Sequence, residues 1–457
     1  MTNIADEPLT EEKSDQPMTC PTTEFPPEPS SIEKAGLSRS LLTRLVAKAL
    51  YVAGELTETS IGQQLKLPYS IVKEILTSLC KEKYCERKGP GDGTGILFRH
   101  ALTDLGLARA REYMETSHYV GPAPVTLLQF QEMVHRQSAL KFAFKRPMLE
   151  GALRQLVLTP QVCDQLGGAV NSGTPVFLYG ESGNGKTVIA EALGEMLSGE
   201  GGGALLVPYA MEVDEQIIEI FDPAIHVPVE NPRDNGDHSD QPGRKQRYDM
   251  RWVLCRRPTV FTGGELTLPM LDLCFNPISK YYAAPPQVKA SGGVFIIDDF
   301  GRQHVPPEAL LNRWIVPLEK RVDYLTLHTG KKFRVPFDTL VVFCTNIEPH
   351  KLADEAFLRR MRNKIYVGNP TVEDYTQIFR RYCEKCGIPF EPRAVEYLYK
   401  QYYAQRGINP RSCHPRDLIE QIVSIAKFYE IPPSLEPWFL DRACQNYLLL
   451  DSEVAKA

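Results

Sequence analysis

Apolar residues recur at helical spacing over residues 38–53, and the same spacing predicts helices near 60–65, capped by Thr57 or Thr59, and over about 70–84. A glycine-rich turn at 87–95 separates two short extended segments, the second at 96–103, and a further helix starts near Asp104. Residues 119–124, with glycine and two prolines, read as a linker. A helical stretch over 126–166 follows. From Pro175 to about Gly368 short apolar runs alternate with helical stretches, the pattern of a parallel sheet with crossover helices, interrupted by a charged loop at 231–246. After Asn369-Pro370 the pattern is helical again, at 371–386, 392–405, 415–429 and 436–450. No internal repeat recurs at a fixed period.

Composition changes this picture little. The chain has 457 residues, too many for one small core, and is 43% apolar and 24% charged, as soluble globular proteins are. Its net charge of −5 gives no global pull towards nucleic acid, so any such binding would be local. Residues 1–36 are rich in Pro, Glu, Ser and Thr and are expected to be a disordered tail. The acidic N-terminus resembles neither a secretory signal nor a transit peptide, and no apolar run approaches the roughly 18 residues that span a bilayer. The 11 cysteines follow no framework spacing, which fits a cytoplasmic setting with reduced thiols. Cys383-x-x-Cys386, with Cys413-His414 as its distant counterpart, reads by default as buried thiols.

Candidate chemistry changes the picture most. Gly180-Glu181-Ser182-Gly183-Asn184-Gly185-Lys186-Thr187 fills the GxxxxGK[ST] pattern, between an apolar run at 176–179 and a helical stretch starting at Val188. Glycines let successive backbone N–H groups converge on a polyphosphate, and the helix N-terminus adds its positive dipole end. Lys186 is expected to neutralise the β- and γ-phosphates and Thr187 to place its hydroxyl on Mg²⁺. A second apolar run, 293–297, ends in Asp298-Asp299: the first is expected to hold Mg²⁺ and the second to polarise the attacking water. A third, 339–345, delivers Asn346, placed to position that water. Arg359, Arg360 and Arg362 cluster where an arginine could reach a neighbour's γ-phosphate, and Arg416, with Arg411 competing, opens a helix from which it could reach back to the nucleotide. No guanine-reading Asn/Thr-Lys-x-Asp follows the second apolar run, so a GTPase is not expected.

The order GESGNGKT, FIIDDF, VVFCTN, AFLRRMR and HPRDL resembles the AAA+ ATPase superfamily over about residues 147–450. By that resemblance residues 180–187 correspond to Walker A, Asp298 and Asp299 to Walker B, Asn346 to sensor 1, Arg416 to sensor 2, and Arg359 or Arg360 to the arginine finger. Alternating segments at 322–328 and 333–337 around Gly330 predict a hairpin just before the sensor-1 strand, similar to the pre-sensor-1 hairpin group of MoxR-like chaperones, chelatase subunits and enhancer-binding activators. The segment 260–265 is also similar to the activator loop that engages RNA polymerase, departing from it at Gly263-Gly264-Glu265. Most AAA+ motors end Walker B in Asp-Glu. The Asp-Asp of this chain also occurs in initiator and loader-like switches and implies slow, switch-like hydrolysis. The first third, with three helices, a glycine-rich hairpin and a last helix, resembles a winged helix-turn-helix; Tyr69, Ser70, Lys73 and Thr77 would face a DNA groove, with Lys66, Lys81, Lys83, Arg87 and Lys88 around them, diluted by Glu74, Glu82 and Glu86.

The expected fold is therefore an α/β parallel sheet of the P-loop AAA+ type with a C-terminal helical lid, preceded by an α+β winged-helix domain. The expected division is tail 1–36, winged helix 37–117, linker and helix 118–146, nucleotide-binding domain 147–368 and lid 369–457. The resemblance implies ATP and Mg²⁺ as cofactors, a homo-oligomeric ring, a hexamer, as the working form, and a protein partner that hydrolysis remodels. Two alternatives stay open: a DNA-binding regulator or loader switched by ATP, and a nucleotide sensor with little hydrolysis.

Overall fold

The computed structural model of the chain describes residues 24–90, 98–141, 143–199, 202–230, 247–352 and 358–448. The charged loop at 231–246, the glycines at 91–95 and the segment 353–357 lie outside these residues.

Near the N-terminus, helices Arg39–Ala53, Glu58–Leu65 and Tyr69–Lys81 precede a three-stranded antiparallel sheet in which Phe98–Leu102 lies between Glu55–Thr57 and Cys85–Pro90. Helix Asp104–Thr116 closes the unit. Leu41, Leu42, Leu45 and Leu50, spaced to share a helix face, meet Ile61, Leu65, Ile71, Ile75 and Leu79 in one buried cluster. The hydroxyls of Ser38, Thr57 and Thr103 accept from the backbone N–H groups of Leu41, Ser60 and Gly106, so Thr57 rather than Thr59 caps the second helix.

Two expectations need correction here. Residues 24–36, assigned to the disordered tail by composition, are ordered. Phe25 packs on Tyr248 with ring centroids 4.6 Å apart, Glu28 N–H donates to the Arg247 carbonyl at 3.2 Å, and Ile32–Ala35 is a helical turn. Composition undervalued Phe25 and Ile32, whose partners lie elsewhere in the chain. Residues 119–124, read as a linker, belong to the core. Tyr119 and Ala123 are buried with the N-terminal helices, and Tyr119 Oη donates to the Pro122 carbonyl at 2.7 Å.

The central sheet consists of β1 (Val176–Tyr179), β2 (Thr259–Thr262), β3 (Val294–Ile297), β4 (Leu340–Thr345) and β5 (Asn363–Tyr366), all parallel, in the order β2-β3-β4-β1-β5. Both faces are covered, which is why these strands read as continuous apolar runs. Leu178, Ile296, Val342 and Cys344 face the cluster built on helix Lys186–Ser198, while Phe177, Phe295, Ile297 and Phe343 face helix Pro307–Lys320 with its fully buried Trp314. Register aligns Ile297 with Phe343 and Thr345 with Tyr179. The residues that follow β1, β3 and β4 therefore emerge together at the carboxyl edge of the sheet, where the strand order reverses and parallel sheets take ligands.

Between helix Lys186–Ser198 and β3 the chain does not alternate strand with helix. It builds an antiparallel pair, Ala204–Pro208 with Trp252–Arg256, and a second five-stranded sheet made from Cys274–Asn276, Tyr281–Ala283, Gln216–Glu219, Ala210–Val213 and Val125–Thr126. Asp214 and Glu215, at φ 55° and 61°, make the two-residue turn that folds 210–219 into a hairpin. The hairpin expected just before β4 is present as Val322–Thr326 with Lys332–Pro336. Buried Asp323 braces it, accepting from Arg313 at 2.7 Å and Gln287 at 3.1 Å.

After β5 the chain is helical: Val372–Cys386, Pro392–Leu398 running into a π-turn at Tyr399–Ala404, His414–Tyr429 and Pro437–Tyr447, around one apolar cluster. Tyr402 and Tyr403 are buried in it, and Tyr282 in the second sheet is buried as well, so these tyrosines pack. Among the described residues no helix is long and apolar enough to cross a membrane.

Candidate functional site

The site begins where β1 ends. Gly180 has φ 143°, and a Cβ there would lie 2.2 Å from the Val367 carbonyl oxygen; Gly183 has φ 86°, and a Cβ there would lie 2.6 Å from Cys413 Sγ. Side chains at these two positions would both strain the backbone and clash, so glycine is required by conformation and by space. Among the described residues, none accepts a hydrogen bond from the backbone N–H groups of Ser182, Gly183, Asn184 or Gly185. Four donors held in a loop in front of a helix N-terminus form an anion-binding concavity.

Lys186 opens the helix and is almost fully buried. Its Nζ folds over the loop and donates to the Gly180 carbonyl at 2.9 Å and the Glu181 carbonyl at 2.8 Å. Burial lowers its pKa below the usual lysine value, while Cys344, Asp298 and Asp299 pull it back up. A buried ammonium satisfied by neutral carbonyls gains from an arriving polyanion. Thr187 Oγ1 donates to Asp298 Oδ2 at 2.9 Å, joining the two residues expected to hold a divalent cation. Asp298 is anchored through its backbone, with N–H donating to the Thr262 carbonyl at 2.8 Å and its carbonyl accepting from Gln303 Nε2 at 3.2 Å. Asp299 is exposed and left-handed, at φ 46°, a conformation that costs a non-glycine residue energy.

β4 delivers Asn346 to the same edge. Thr345 Oγ1 donates to the Phe300 carbonyl at 2.6 Å, tying the end of β4 to the turn after β3. Asn346 Oδ1 is buried with no hydrogen-bond partner among the described residues. A buried amide oxygen left unpaired costs about 1–3 kcal/mol unless something fills its place. The loop, both aspartates, Asn346 and Arg416 line a cleft of about 340 Å³, whose apolar wall includes Leu156, Leu158 and Ile378. A polar end with unspent donors, a carboxylate–hydroxyl pair and an apolar end together suit a nucleoside triphosphate with Mg²⁺.

The C-terminal helices close this cleft from above. Cys413 N–H donates to the Gly183 carbonyl at 2.9 Å, and Ser412 N–H donates to Asn184 Oδ1 at 3.2 Å. Asn184 Nδ2 donates to Asn369 Oδ1 at 2.7 Å, and Asn369 Nδ2 reaches Glu181 Oε2 at 3.4 Å. The loop is thus clasped both to the 411–413 segment and to the junction after β5. Of the competing C-terminal arginines, Arg416 lines the cleft, with Nε donating to Asp417 Oδ1 at 2.8 Å, whereas Arg411 faces Glu181 of the loop at 3.9 Å.

The remaining arginines lie elsewhere. Arg360 pairs with Glu319, Arg359 and Arg362 are exposed, and none of the three lines this chain's own cleft. On helix Tyr69–Lys81, Tyr69, Lys73 and Thr77 are exposed, but Glu74 pairs with Arg39, and Lys88 lies between Glu55 and Glu86, so acid offsets base along that surface. Sequence reasoning missed Asn369 and Ser412, and it gave Asn184 only a phosphate-loop role. No local pattern marks a contact between residues so far apart in sequence. The one available signal was the Asn369-Pro370 punctuation at the helical boundary.

Residues 371–446 match a family described as Domain of unknown function (DUF8689). No curated protein matches the chain. Among solved structures the chain is similar to NtrX from Brucella abortus, at 15% identity and a TM-score of 0.37 over 63% of this chain and 56% of that one. It is also similar to a RuvB mutant from Thermotoga maritima, at 12% identity and 0.36 over 64% and 72% of the two chains, and to domain III of the replication initiation protein DnaA from Thermotoga maritima, at 12% and 0.35 over 65% and 95%. The chain thus spans 56% of the length of the NtrX structure, and its structural similarity to these three proteins is distant.

Proposed function

We propose that the chain is an AAA+-type ATPase that binds and hydrolyses Mg-ATP. The observation that carries this reading is the convergence, at one sheet edge, of a loop with four unspent N–H donors, a buried lysine, a Thr187–Asp298 pair and an unpartnered Asn346 amide oxygen. The loop amides and Lys186 would bind the phosphates, and the apolar wall at Leu156 and Leu158 would take the base. Mg²⁺, held by Thr187 and Asp298, would neutralise charge on the β- and γ-phosphates. Asp299 would accept the proton of the attacking water and Asn346 would orient that water, excluded from bulk by the clasped C-terminal helices. Arg416, which lines the cleft, would reach the nucleotide from within the chain; Arg359, Arg360 and Arg362 lie off it, and Arg359 or Arg360 would serve a neighbouring subunit's cleft, with a homo-oligomeric ring as the working form. Motion of the clasp and of the 322–336 hairpin would remodel a protein partner.

A second reading, in which the N-terminal unit seats on DNA in winged-helix fashion, draws on the exposed Tyr69, Ser70 and Lys73 along one helix face. The interleaved acids on that surface favour a protein contact instead.

Steady-state phosphate release tests the main reading. Turnover of ATP that stops when Mg²⁺ is chelated is expected. Purified protein that binds no Mg-ATP would overturn the proposal, and binding without turnover would leave the nucleotide-sensor reading. A salt-independent or absent DNA affinity would remove the second reading.

A further inference from the structure

Three residues of the N-terminal unit bring ligand atoms together. Cys80 lies in the last turn of helix Tyr69–Lys81; Lys83, at φ 60°, then reverses the chain, so that Cys85 opens the first strand of the hairpin. Cys85 pairs with Leu102 and Arg87 with His100, which makes Cys85 and His100 diagonal neighbours on one face of the sheet. One ligand atom from each of Cys80, Cys85 and His100 lies within 4.8 Å of the others, the one group of this kind among the described residues.

The geometry goes beyond proximity. Cys85 Sγ is 3.8 Å from His100 Nδ1. A tetrahedral ion with about 2.3 Å to sulfur and about 2.0 Å to nitrogen holds such atoms roughly 3.5–3.8 Å apart. On the far side of the ring, His100 Nε2 is 3.3 Å from Glu58 Oε1, and both residues are almost fully buried. A carboxylate accepting from Nε2–H fixes the tautomer whose free lone pair is on Nδ1, the nitrogen that faces the sulfurs. Metal-bound histidines are usually oriented in this way. Cys80-x4-Cys85 also has the loop length common in paired zinc thiolates. Cys80 is only half-buried, which leaves an ion a route from solvent.

We propose that Cys80, Cys85 and His100 bind a thiolate-preferring divalent metal ion of the zinc class, with Glu58 as the residue that positions His100. The site is independent of the nucleotide reading. Three protein ligands leave one tetrahedral position for water or an exogenous ligand. The ion would fasten the end of the helix to both strands of the hairpin, so its binding energy would become stability of the N-terminal unit.

Titration of the reduced, metal-stripped full chain with Co²⁺ tests this. Expected is one equivalent bound, with a sulfur-to-cobalt charge-transfer band of two-thiolate intensity that Zn²⁺ bleaches. The Cys80→Ser/Cys85→Ser double variant should lose the band, and a Cys383→Ser/Cys386→Ser variant should keep it. Glu58→Gln should keep the stoichiometry and weaken affinity roughly 10–100-fold. Should the double variant misfold, Zn²⁺ protection from alkylation, mapped in the wild-type chain by mass spectrometry, gives the same answer at Cys80 and Cys85. A wild-type chain with both thiols free and no charge-transfer band, a band that survives the double substitution, or alkylation of both cysteines unaffected by Zn²⁺ would each overturn the proposal.

Discussion

The carboxyl edge of the central sheet and the arginine-bearing edge around Arg359–Arg360 behave differently, although both are rich in charge. At the sheet edge the register of β1, β3 and β4 forces Gly180, Asp298 and Asn346 to one spot. At the other edge Arg360 pairs with Glu319, Arg359 and Arg362 are exposed, and all three stay off the cleft. Strand pairing inside one chain is enough to bring the loop, both aspartates and Asn346 to one cleft, whereas in the ATPase reading Arg359 or Arg360 would act on a neighbouring chain's cleft. The comparison predicts that changes at the first edge act on an isolated chain and changes at the second act only where chains meet.

The largest effect should follow Lys186→Ala. Lys186 is buried, and the loop is built around its ammonium, so Mg-ATP affinity and turnover should both fall to background at any protein concentration. Titration with a fluorescent ATP analogue measures this. Retained affinity would show that the loop grips no phosphate. Asp299→Asn comes next. Hydrolysis should drop roughly 10²–10⁴-fold, the range of a lost general base, while Mg-ATP affinity stays within a few-fold of wild type. If binding and rate fell together, Asp299 would be holding the ligand rather than acting on water.

Arg359→Ala and Arg360→Ala sharpen the comparison from the other side. Both should leave nucleotide binding intact, and the one that removes the finger should lower turnover about tenfold or more, since a finger arginine can be worth up to about 10³–10⁵. The loss should appear only at concentrations where wild-type turnover per chain rises with assembly. Mixing the slowed arginine variant with Lys186→Ala chains should recover part of the rate, because each supplies what the other lacks. A rate deficit in dilute, monomeric protein would place these arginines in their own chain's chemistry.

The two edges also differ in how far the sequence reveals them. Buried parallel strands are written as apolar runs, and their C-terminal residues are the next letters, so Lys186, Thr187, Asp298, Asp299 and Asn346 could be named from the chain alone. The Asp214-Glu215 turn and the strands around it broke the expected strand–helix alternation, because a second sheet competes with crossover helices for the same apolar residues. Phe25 and Tyr119 sat in segments whose prolines suggested a tail and a linker, and only their distant partners show them as packed. The clasp from Asn184 to Asn369 and Ser412 joins residues far apart in sequence, and Cys80, Cys85 and His100 meet only once helix and hairpin have formed. Cys383-x-x-Cys386, read as buried thiols, is so only in part: Cys383 is buried, but Cys386 is exposed.

The smallest effect concerns the roof of the first edge. His414 is buried next to the segment that clasps the loop; its Nδ1 accepts from Arg411 N–H at 3.3 Å and meets Tyr403 Oη at 3.1 Å. Burial, with Arg411 nearby, lowers its pKa to about 4, against the attraction of Asp417. A histidine held neutral in the fold but free to protonate at about 6.5 when unfolded draws the chain towards the unfolded state as pH falls. Its cost is absent above pH 6.5, reaches about 1 kcal/mol near pH 5.5 and levels off at about 3 kcal/mol below pH 4. A proton on Nδ1 also removes the acceptor that fixes Arg411 N–H, so the contacts from Ser412 and Cys413 to the loop should loosen over the same range. Denaturant titrations of wild type and His414→Gln between pH 7.5 and 4.5 separate this group from other acid-sensitive ones. The wild-type chain should lose more stability than the variant as pH falls, and parallel losses in the two would remove His414 as the cause.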